Sequence, residues 1–562
     1  MLLSWVLAAC PGLPDGPRYE GAGKPGPRRG GTLMLSEQQR VRSLDPHLVH
    51  DVISGAVIEM LFDGLYEFDA QMKLSPDIAA ELPVYANDGK VLRIRLRQGV
   101  RFQNGREITA EDVVWSLERM LHPRTHSPGA LFYRLIVGFE EYRAGKASHV
   151  EGLRVLERYQ FEIRLSEADQ TFAPLLAMRF ATPVPREEVL SRGAEFARRP
   201  VGSGPFRLAS WDPGVRLVLE RNPRYGAGLP HVDRVVVEEA IALETAFLRF
   251  RNAEVDVMTR VTPADRAVLQ GSRKWRPYFE ASPSVDIWGL VMNCELPPFD
   301  NVHVRRAVAS AIDRERWVKV RSGNLRAAGQ MVPPQLIGYD PKLPHLQVLD
   351  LANAHREMAL AGFPNGWPEP VTLWIPESAT ARIYAELAQA DLAAIGIRAE
   401  IKGTTFPVFL ESQGTPKTVQ LSLSGWQMDY PDPSNFLGLL HSKSRGERSS
   451  INRAFYSSPT LDGLLDRARV EPDPTQRARL YRDANDLVAH DAPWAFFGNN
   501  LVPQAWQPYV KNYRPHAVYW MPVNEVWLDL PKRKLEQLAQ ALSPLPGARV
   551  EMQRAFAIRG RP

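Results

Sequence analysis

The stretch TVQLSLSGWQMDYPDPSNF, residues 418–436, carries the side chains best suited to hold a small polar ligand. Apolar and polar residues alternate from 419 to 424, which predicts a half-buried strand. Trp426, Asp429 and Tyr430 follow, and the prolines behind them exclude a regular helix and favour extended backbone. A carboxylate and aromatic rings on a rigid loop beyond a strand end are typical of ligand sites in α/β proteins. We therefore predict that these three residues line a ligand site.

The same loop also permits a structural interpretation. Aspartates beside prolines commonly form Asx turns, and we interpret Asp432 in this way but Asp429 as a ligand contact. Trp426 and Tyr430 fit a pocket wall and a hydrophobic core equally well, because aromatic rings serve in both. For these two rings the sequence leaves both interpretations open.

Motifs of catalysis and metal binding are absent from the sequence. It contains no HExxH, GxSxG, GxxxxGK[ST] or CxxC pattern. His47 and His50 have HxxH spacing, but the neighbouring Pro46 favours a turn over a metal site. His441 fits either a contact to a metal chelate or a surface cap. Ser203 lies between two glycines and before a proline, and no general base for a nucleophilic serine is identifiable, so we interpret this stretch as a turn. We expect no catalytic residue, no cofactor and no bound metal.

Alternating strands and helices supply the scaffold for this loop. Period-two alternation predicts strands at 91–97, 159–165, 216–220 and 234–238. Thr109 and Asp112 form a variant of the capping box, which predicts the start of a helix. Because strands and helices intermix throughout, we predict an α/β fold with mixed sheets and no internal repeat.

Two further helices are predicted in the second half of the chain. One follows Asp300-Asn301, and the other lies near 380–395 and ends before Gly396. The second is indicated by four apolar residues at helical spacing: Ile383, Leu387, Ala390 and Ala394.

The positive charge lies mostly at the two ends of the chain. The 562 residues include 69 Lys and Arg against 64 Asp and Glu, a formal charge of +5. Residues 531–562 carry +5 and residues 1–30 carry +2, so the body from 31 to 530 carries −2. A mildly acidic body is a poor surface for a polyanion, and we expect no nucleic-acid partner.

The N-terminal residues MLLSWVLAAC end in a pattern that resembles the lipobox of bacterial lipoproteins. We expect residues 1–10 to be a lipoprotein-type signal and Cys10 to be lipidated. The alternative is a chance Leu-x-x-Cys, since no Lys or Arg precedes the short apolar run. The Pro- and Gly-rich residues 11–29 are expected to form a flexible tether, and Cys294 would then have no disulfide partner.

A basic tail occupies residues 531–562. Its segment KRKLEQLAQAL has the pattern of a short amphipathic helix, which two prolines end. Such a helix could touch anionic lipid or a membrane partner, pack on the body, or remain part of an unstructured tail. The sequence leaves these alternatives open.

Six stretches, in order along the chain, carry a resemblance to a known family: GGTL (30–33), RLRQGVRFQNGREITAEDVVWSLERM (95–120), PVGSGPFRLASWDPGVRLVLERNPRYG (200–226), PPFDNVHVRRAVASAIDRE (297–315), VPPQLIGYDP (332–341) and WQMDYPDPSNFL (426–437). Together they make the body, roughly residues 30 to 530, similar to the family 5 extracellular solute-binding proteins. These are peptide, dipeptide and nickel receptors of ABC importers.

The resemblance implies a periplasmic-binding-protein-like flytrap with three lobes and the ligand cleft between lobes one and three. On this analogy lobe one comprises residues 30–70, 200–285 and 495–530. Lobe two comprises 71–199 and lobe three 286–494. Closure around the ligand would be a hinge motion, and the closed form would dock on a membrane permease.

The resemblance also implies roles for individual residues. Asp429 matches the aspartate that pairs with the ligand's α-ammonium group in peptide-binding members. The loop SEQQRVRSLDP (36–46) matches the ligand-facing loop of lobe one, which makes Gln38 and Arg40 candidate contacts, although this loop carries an extra residue. Arg382 is the cation nearest to the position that binds a ligand carboxylate in some members, displaced by a few residues.

The function implied is that of a monomeric receptor, periplasmic or at the cell surface and lipid-anchored through Cys10. It would capture peptides and deliver them to the permease subunits of an ABC transporter. The alternatives are the same fold with another solute, such as a metal chelate, haem, a sugar or an opine, and a secreted hydrolase.

Overall fold

A computed structural model of the chain describes residues 26–447 and 449–530. The predictions for Cys10, for most of the tether and for the tail at 531–562 lie outside these residues. Within the described ranges, no helix is both long and apolar enough to cross a membrane.

The described chain forms twenty strands and fifteen α-helices. The strands are β1 (Thr32–Ser36), β2 (Tyr66–Phe68), β3 (Leu74–Pro76), β4 (Val84–Ala86), β5 (Val91–Arg95), β6 (Leu153–Glu157), β7 (Gln160–Arg164), β8 (Phe206–Asp212), β9 (Arg216–Arg221), β10 (Arg234–Glu238), β11 (Val257–Met258), β12 (Phe279–Pro283), β13 (Asp286–Met292), β14 (Leu325–Ala327), β15 (Val371–Pro376), β16 (Ala399–Thr404), β17 (Leu421–Gln427), β18 (Trp494–Trp506), β19 (Val510–Lys511) and β20 (Trp527–Leu528).

The helices are α1 (Val52–Leu61), α2 (Ala110–Leu121), α3 (Phe139–Arg143), α4 (Phe172–Leu175), α5 (Arg186–Arg192), α6 (Leu243–Arg251), α7 (Pro263–Gly271), α8 (Val302–Ala311), α9 (Arg314–Val320), α10 (Leu351–Leu360), α11 (Ala379–Ala393), α12 (Phe406–Gln413), α13 (Ser434–Leu437), α14 (Pro459–Val470) and α15 (Pro474–Asp491).

The largest sheet has twelve strands and runs through two lobes. Its order is β16-β15-β17-β13-β18-β11-β1-β10-β9-β8, and β12 and β14 also pair with β18. A separate four-stranded sheet has the order β4-β5-β7-β6. Parallel and antiparallel pairs occur together in the large sheet. The predicted α/β fold with mixed sheets is confirmed, and the four predicted strands correspond to β5, β7, β9 and β10.

Buried apolar side chains fall into three regions, which define three lobes. Lobe one draws its core from residues 33–62, 184–275 and 505–530. Lobe two draws its core from residues 65–181. Lobe three packs residues 285–497 on both faces of its part of the large sheet. The second lobe is therefore inserted into the first, and the first is assembled from distant parts of the chain.

The predicted lobe boundaries remain predictions, but packing indicates where they fall. Residues 184–196 pack in the core of lobe one, which puts the end of the lobe-two core before the predicted position of 200. The boundaries near 286 and 495 fall at the start of β13 and of β18, the two strands at the junction of lobes one and three.

The predicted helix starts agree with the structure. The backbone N–H of Thr109 donates to Asp112 Oδ2 over 2.9 Å, which completes the reciprocal side of a capping box. Asn301 Oδ1 accepts from the N–H of His303 over 2.9 Å and caps α8. Both caps satisfy N–H groups that a helix start leaves without an internal partner.

The helix predicted near 380–395 is present as α11 and ends before Gly396, as expected. Ile383 is 47% exposed and Ala390 is exposed. The face that packs on the sheet consists mainly of small side chains, namely Ala381, Ala385, Ala388 and Leu392. Alanine allows close approach to the sheet but contributes little to a hydrophobic pattern, so the sequence does not indicate which face of this helix packs.

We predict that Trp317→Ala lowers the free energy of unfolding by about 3–5 kcal/mol. Trp317 on α9 is fully buried, stacks on Phe497 with ring centroids 4.2 Å apart and donates from Nε1 to Asp391 Oδ2 over 2.9 Å. Ile383→Ala on the exposed face of α11 is the control and should cost less than about 1 kcal/mol. Urea denaturation measures both, and equal costs for the two variants would contradict this packing.

Candidate functional site

Several strands of lobe three begin or end at the same place, and these strand ends form one edge of the lobe. β15 and β17 run parallel, with Leu373 opposite Leu421, so their carboxyl ends meet at this edge. β13 is antiparallel to β17 and begins there. β18 is antiparallel to β13 and passes the same edge with Gly498 opposite Trp288. The loops that follow β15 and β17 therefore lie side by side.

Lobe one presents a second edge that faces the first. β1 and β11 are parallel neighbours, with Ser36 opposite Met258, and β11 is antiparallel to β18, with Met258 opposite Ala505. Their carboxyl ends thus point along β18 toward lobe three. Gly498 and Ala505 are seven residues apart, or about 23 Å at about 3.3 Å per residue. The cleft is the space between these two edges.

Asp429 lies on the cleft-facing edge of lobe three. It follows β17 by two residues and is exposed. Its Oδ2 accepts from Asn435 Nδ2 over 3.2 Å, and its backbone N–H donates to Asn435 Oδ1 over 3.0 Å. Among the described residues, no Lys, Arg or His forms an ion pair with this carboxylate. Asp429 is therefore a carboxylate held in place by a neutral amide, with no cation to balance it.

The surroundings of Asp429 disfavour its charge. Partial desolvation by the neighbouring protein raises the pKa of the Asp429 carboxyl, and the hydrogen bond from Asn435 offsets this only in part. A cationic ligand group would relieve this penalty, because a charge-assisted hydrogen bond stabilises the ionised form.

Trp426 and Tyr430 flank Asp429 and differ in their packing. Trp426 is half-buried against the lobe-three core and donates from Nε1 to Asn435 Oδ1 over 3.0 Å. Tyr430 packs against the core of lobe two and meets Phe132 edge to face, with ring centroids 6.2 Å apart. Each ring has a packing role, and the prediction that both also line the ligand site stays a prediction. Asn435, which orients Trp426 and Asp429 together, was not among the predicted site residues.

A close contact fixes the start of this loop. β17 carries Gly425 opposite Trp288, and a Cβ added at Gly425 would lie 2.4 Å from the Trp288 ring atom Cδ2. Only glycine lets the indole lie against the strand at this point, so the residue directly before Trp426 is set by packing in the sheet.

Asp432 has the structural role that the sequence predicted for it. It is buried, and its Oδ1 accepts from the N–H of Ser434 over 2.9 Å, as in an Asx turn. Its Oδ2 forms an ion pair with Arg477 Nη2 over 2.6 Å, and its Oδ1 also accepts from the hydroxyl of Tyr481 over 3.1 Å. The two aspartates of the loop therefore differ, since Asp432 is neutralised in the core and Asp429 is exposed beyond the end of β17.

Lobe one contributes the end of β1. Gln38 is exposed there, as is Arg40. The neighbouring Glu37 is buried, and its Oε1 accepts from Trp520 Nε1 over 3.2 Å and from the hydroxyl of Thr259. Burial raises the pKa of Glu37. Glu37 thus anchors the loop that presents Gln38, whose role as a ligand contact stays a prediction.

Arg382 lies in the first turns of α11, after β15, at the cleft edge of lobe three. Its side chain is exposed and donates from Nε to Glu386 Oε1 over 3.3 Å. An exposed pair of this kind contributes little free energy, so it does not hold Arg382 away from a ligand. Its role as the carboxylate-binding cation stays a prediction.

His47, His441 and Ser203 have structural roles. His47 is buried and fixed by Arg119 and by the carbonyl of Thr182, and burial lowers its pKa to about 4. His441 Nδ1 accepts from the N–H of Lys443, as expected of a cap. Ser203 Oγ accepts from the N–H of Asp63. No group of three or more metal-ligating side chains occurs in the part of the chain that the structure describes.

We predict that Arg477→Met lowers the free energy of unfolding by about 3–5 kcal/mol, because it leaves Asp432 charged and buried without its cation. Asp429→Ala should change stability by less than about 1 kcal/mol, since its carboxylate is exposed and not paired. Chemical denaturation distinguishes the two roles. A large loss for Asp429→Ala, or none for Arg477→Met, would refute the division between a structural and a free aspartate.

Comparison with known proteins agrees with this architecture. Residues 73–448 match the bacterial extracellular solute-binding proteins, family 5 Middle. The periplasmic oligopeptide-binding protein OppA of Salmonella typhimurium is 29% identical over 496 residues, which cover 84% of this chain and 89% of that protein. The glutathione-binding protein GsiB of Salmonella typhi is 28% identical over 472 residues, 82% of this chain and 88% of that protein.

A solved structure gives the same result. The periplasmic binding protein DppA from Helicobacter pylori, in complex with peptide STSA, superimposes with a TM-score of 0.70 at 26% identity. The match covers 89% of this chain and 98% of that chain. The three-lobed arrangement described above is therefore shared over almost the whole of the described body.

Proposed function

Because the chain belongs to the bacterial extracellular solute-binding proteins of family 5, we propose that it is the substrate-binding receptor of an ABC importer and that its ligands are peptides. The observation that carries the proposal is the Asp429 carboxylate, which is exposed just beyond the end of β17 and has no ion-pair partner among the described residues. The relatives named as oligopeptide- and glutathione-binding proteins support a peptide as the ligand class.

Asp429 would bind the α-ammonium group of a peptide. The amide of Asn435 holds the carboxylate from one side, so its other oxygen is available to the ligand. Since the cleft partly desolvates the group, an ion pair formed there gains more than one formed in bulk water. The half-buried Trp426 beside it would provide an apolar surface for the first side chain of the peptide.

Transport would depend on a hinge motion between lobes one and three. A ligand held by Asp429 on one edge and by the loop at Gln38 on the other favours the conformation in which the edges are close. The closed form would then dock on the permease subunits. The protein would act in the periplasm or at the cell surface, as a monomer anchored through Cys10, without nucleic acid as a partner and without enzymatic activity.

We predict that Asp429→Ala weakens binding of a free-amine peptide more than about tenfold, because it removes the partner of the ammonium group. Isothermal titration calorimetry with the peptide and its N-acetylated form provides the measurement. Asp88→Asn, in an exposed turn of lobe two, is the matched control and should bind like the wild type. The same affinity for wild type and Asp429→Ala would rule out this role.

The affinity should also fall as the pH is lowered through the raised pKa of Asp429. The ammonium group binds the ionised form of the Asp429 carboxylate. Protonation of this carboxylate in the free protein therefore competes with the ligand, and binding to the protonated protein releases a proton. The ordinary carboxyl of aspartate titrates near pH 3.9, and the decline should begin at a higher pH than that. Titrations between about pH 7 and about pH 4 measure it, and Asp429→Asn should lack this component. A wild-type affinity that stays constant over the range would contradict the assignment.

A further inference from the structure

Lobe two is bonded firmly to lobe one. The chain enters lobe two from the core of lobe one and returns to that core afterwards. Arg119 of lobe two forms a forked ion pair with Asp45 of lobe one, over 3.0 and 2.5 Å, and the Asp45 side chain is only 3% exposed. Gln103 of lobe two donates to the carbonyl groups of Leu61 and Phe206 over 3.0 and 2.7 Å. Separating these lobes would break buried polar contacts, so we expect lobes one and two to move as one body.

Lobe two also contacts lobe three, although the chain leads from lobe two only into lobe one. Arg469, in the last turn of α14, forms a forked ion pair with Glu167, with Nη1 and Oε1 2.7 Å apart and Nη2 and Oε2 3.1 Å apart. The backbone N–H of Gln170 donates to the carbonyl group of Arg469 over 2.8 Å. We refer to Glu167, Gln170 and Arg469 as the clasp, because these three residues join two lobes that no chain crossing connects.

The ion pair of the clasp is suited to opening. The side chain of Arg469 is 25% exposed and that of Glu167 is 52% exposed, in contrast to the buried Asp45. A pair of this exposure contributes little net free energy, since both charges regain water when they separate. The clasp can therefore open without the cost that keeps lobe two on lobe one.

A hinge motion between lobes one and three must make and break the clasp. Because lobe two moves with lobe one, lobe three changes its position relative to both. The loop after β17 that carries Asp429 also carries Tyr430, whose ring meets Phe132 of lobe two. When this loop moves away from lobe one, Tyr430 leaves Phe132 and Arg469 leaves Glu167. The clasp therefore belongs to the closed position of the cleft.

We propose that the clasp stabilises the closed cleft and so raises the affinity for peptides without contacting them, a proposal that rests on the peptide receptor function. Arg469 and Glu167 bond to each other at the junction of lobes two and three. Each ligand that closes the cleft gains the same free energy from the clasp, because the apparent dissociation constant depends on the fraction of closed protein. Loss of the clasp should weaken different peptides by one common factor and leave the selectivity unchanged.

Charge reversal tests the clasp in the full-length protein, by calorimetry with trialanine and N-acetyl-trialanine. Arg469→Glu places like charges opposite each other and should weaken the binding of trialanine about threefold to tenfold. Glu167→Arg should have the same effect, and the double variant, which restores the pair in reverse, should recover most of the affinity. The preference for trialanine over its acetylated form should stay that of the wild type throughout. Arg467→Glu, at an exposed position in the same turn of α14, is the matched control and should bind like the wild type.

Hydrogen exchange tests whether the clasp opens. The amide of Gln170 donates to Arg469, so it should exchange more slowly in the trialanine complex than in the ligand-free protein. Arg469→Glu should speed this exchange in the ligand-free protein, whereas Arg467→Glu should leave it unchanged. Far-ultraviolet circular dichroism and the urea midpoint establish that each variant is folded.

The outcomes separate this proposal from the receptor function. If the single reversals bind trialanine like the wild type, or if the double variant recovers nothing, the clasp is refuted while peptide binding stands. A changed preference between trialanine and its acetylated form would assign Arg469 or Glu167 to the ligand site instead. Equal exchange at Gln170 with and without trialanine would identify a permanent brace and refute the opening. If the wild type binds no peptide, both proposals fail.

Discussion

The architecture of the cleft depends on the continuity of β18. This strand pairs with β13 in lobe three and with β11 in lobe one, so one backbone ladder joins two separate cores. Asp286 reinforces the junction, because its two carboxylate oxygens accept from the N–H and the side-chain amide of Asn500 over 2.8 and 2.7 Å. Both edges of the cleft are thereby held to the same strand. Any closure of the cleft must bend or twist the chain near this contact.

The loop at 426–435 carries one aspartate that is paired in the core and one that has no ion-pair partner among the described residues. Asp432 is neutralised by Arg477 in the core and fixes the turn, while Asn435 holds Asp429 and Trp426 with neutral hydrogen bonds. The uncompensated Asp429 then lies on a scaffold that does not need its charge for its own stability. Charges that the fold leaves unpaired in a cleft are available to a ligand, whose opposite charges remove the cost of desolvation.

Lobe two braces the same region. Tyr430, next to Asp429, contacts Phe132 of lobe two. Further along, Arg469 of lobe three pairs with Glu167 over 2.7 Å, and its carbonyl accepts from the N–H of Gln170 over 2.8 Å. The loop that presents Asp429 is thus supported from two lobes, which limits its freedom before a ligand arrives and lowers the entropy cost of binding.

The sequence predicted features that depend on local order. Strand alternation, the capping box at Thr109 and the turn role of Asp432 involve neighbours a few residues apart, and the structure confirms them. The pairing of Asp432 with Arg477 joins residues 45 positions apart, and no local pattern specifies it.

The packed face of α11 could not be selected for a related reason. The sheet accepts its small side chains, such as Ala385 and Ala388, while the larger Ile383 is exposed. Long-range contacts therefore decided which side chains serve the core and which remain available to a ligand.

The most direct measurement is native mass spectrometry of the protein purified from the cells that produce it naturally, followed by sequencing of the molecule released on unfolding. The account predicts one peptide with a free amino terminus bound to each chain. A sugar, an opine, haem, a metal chelate or a peptide with a blocked amino terminus as the bound molecule would contradict it.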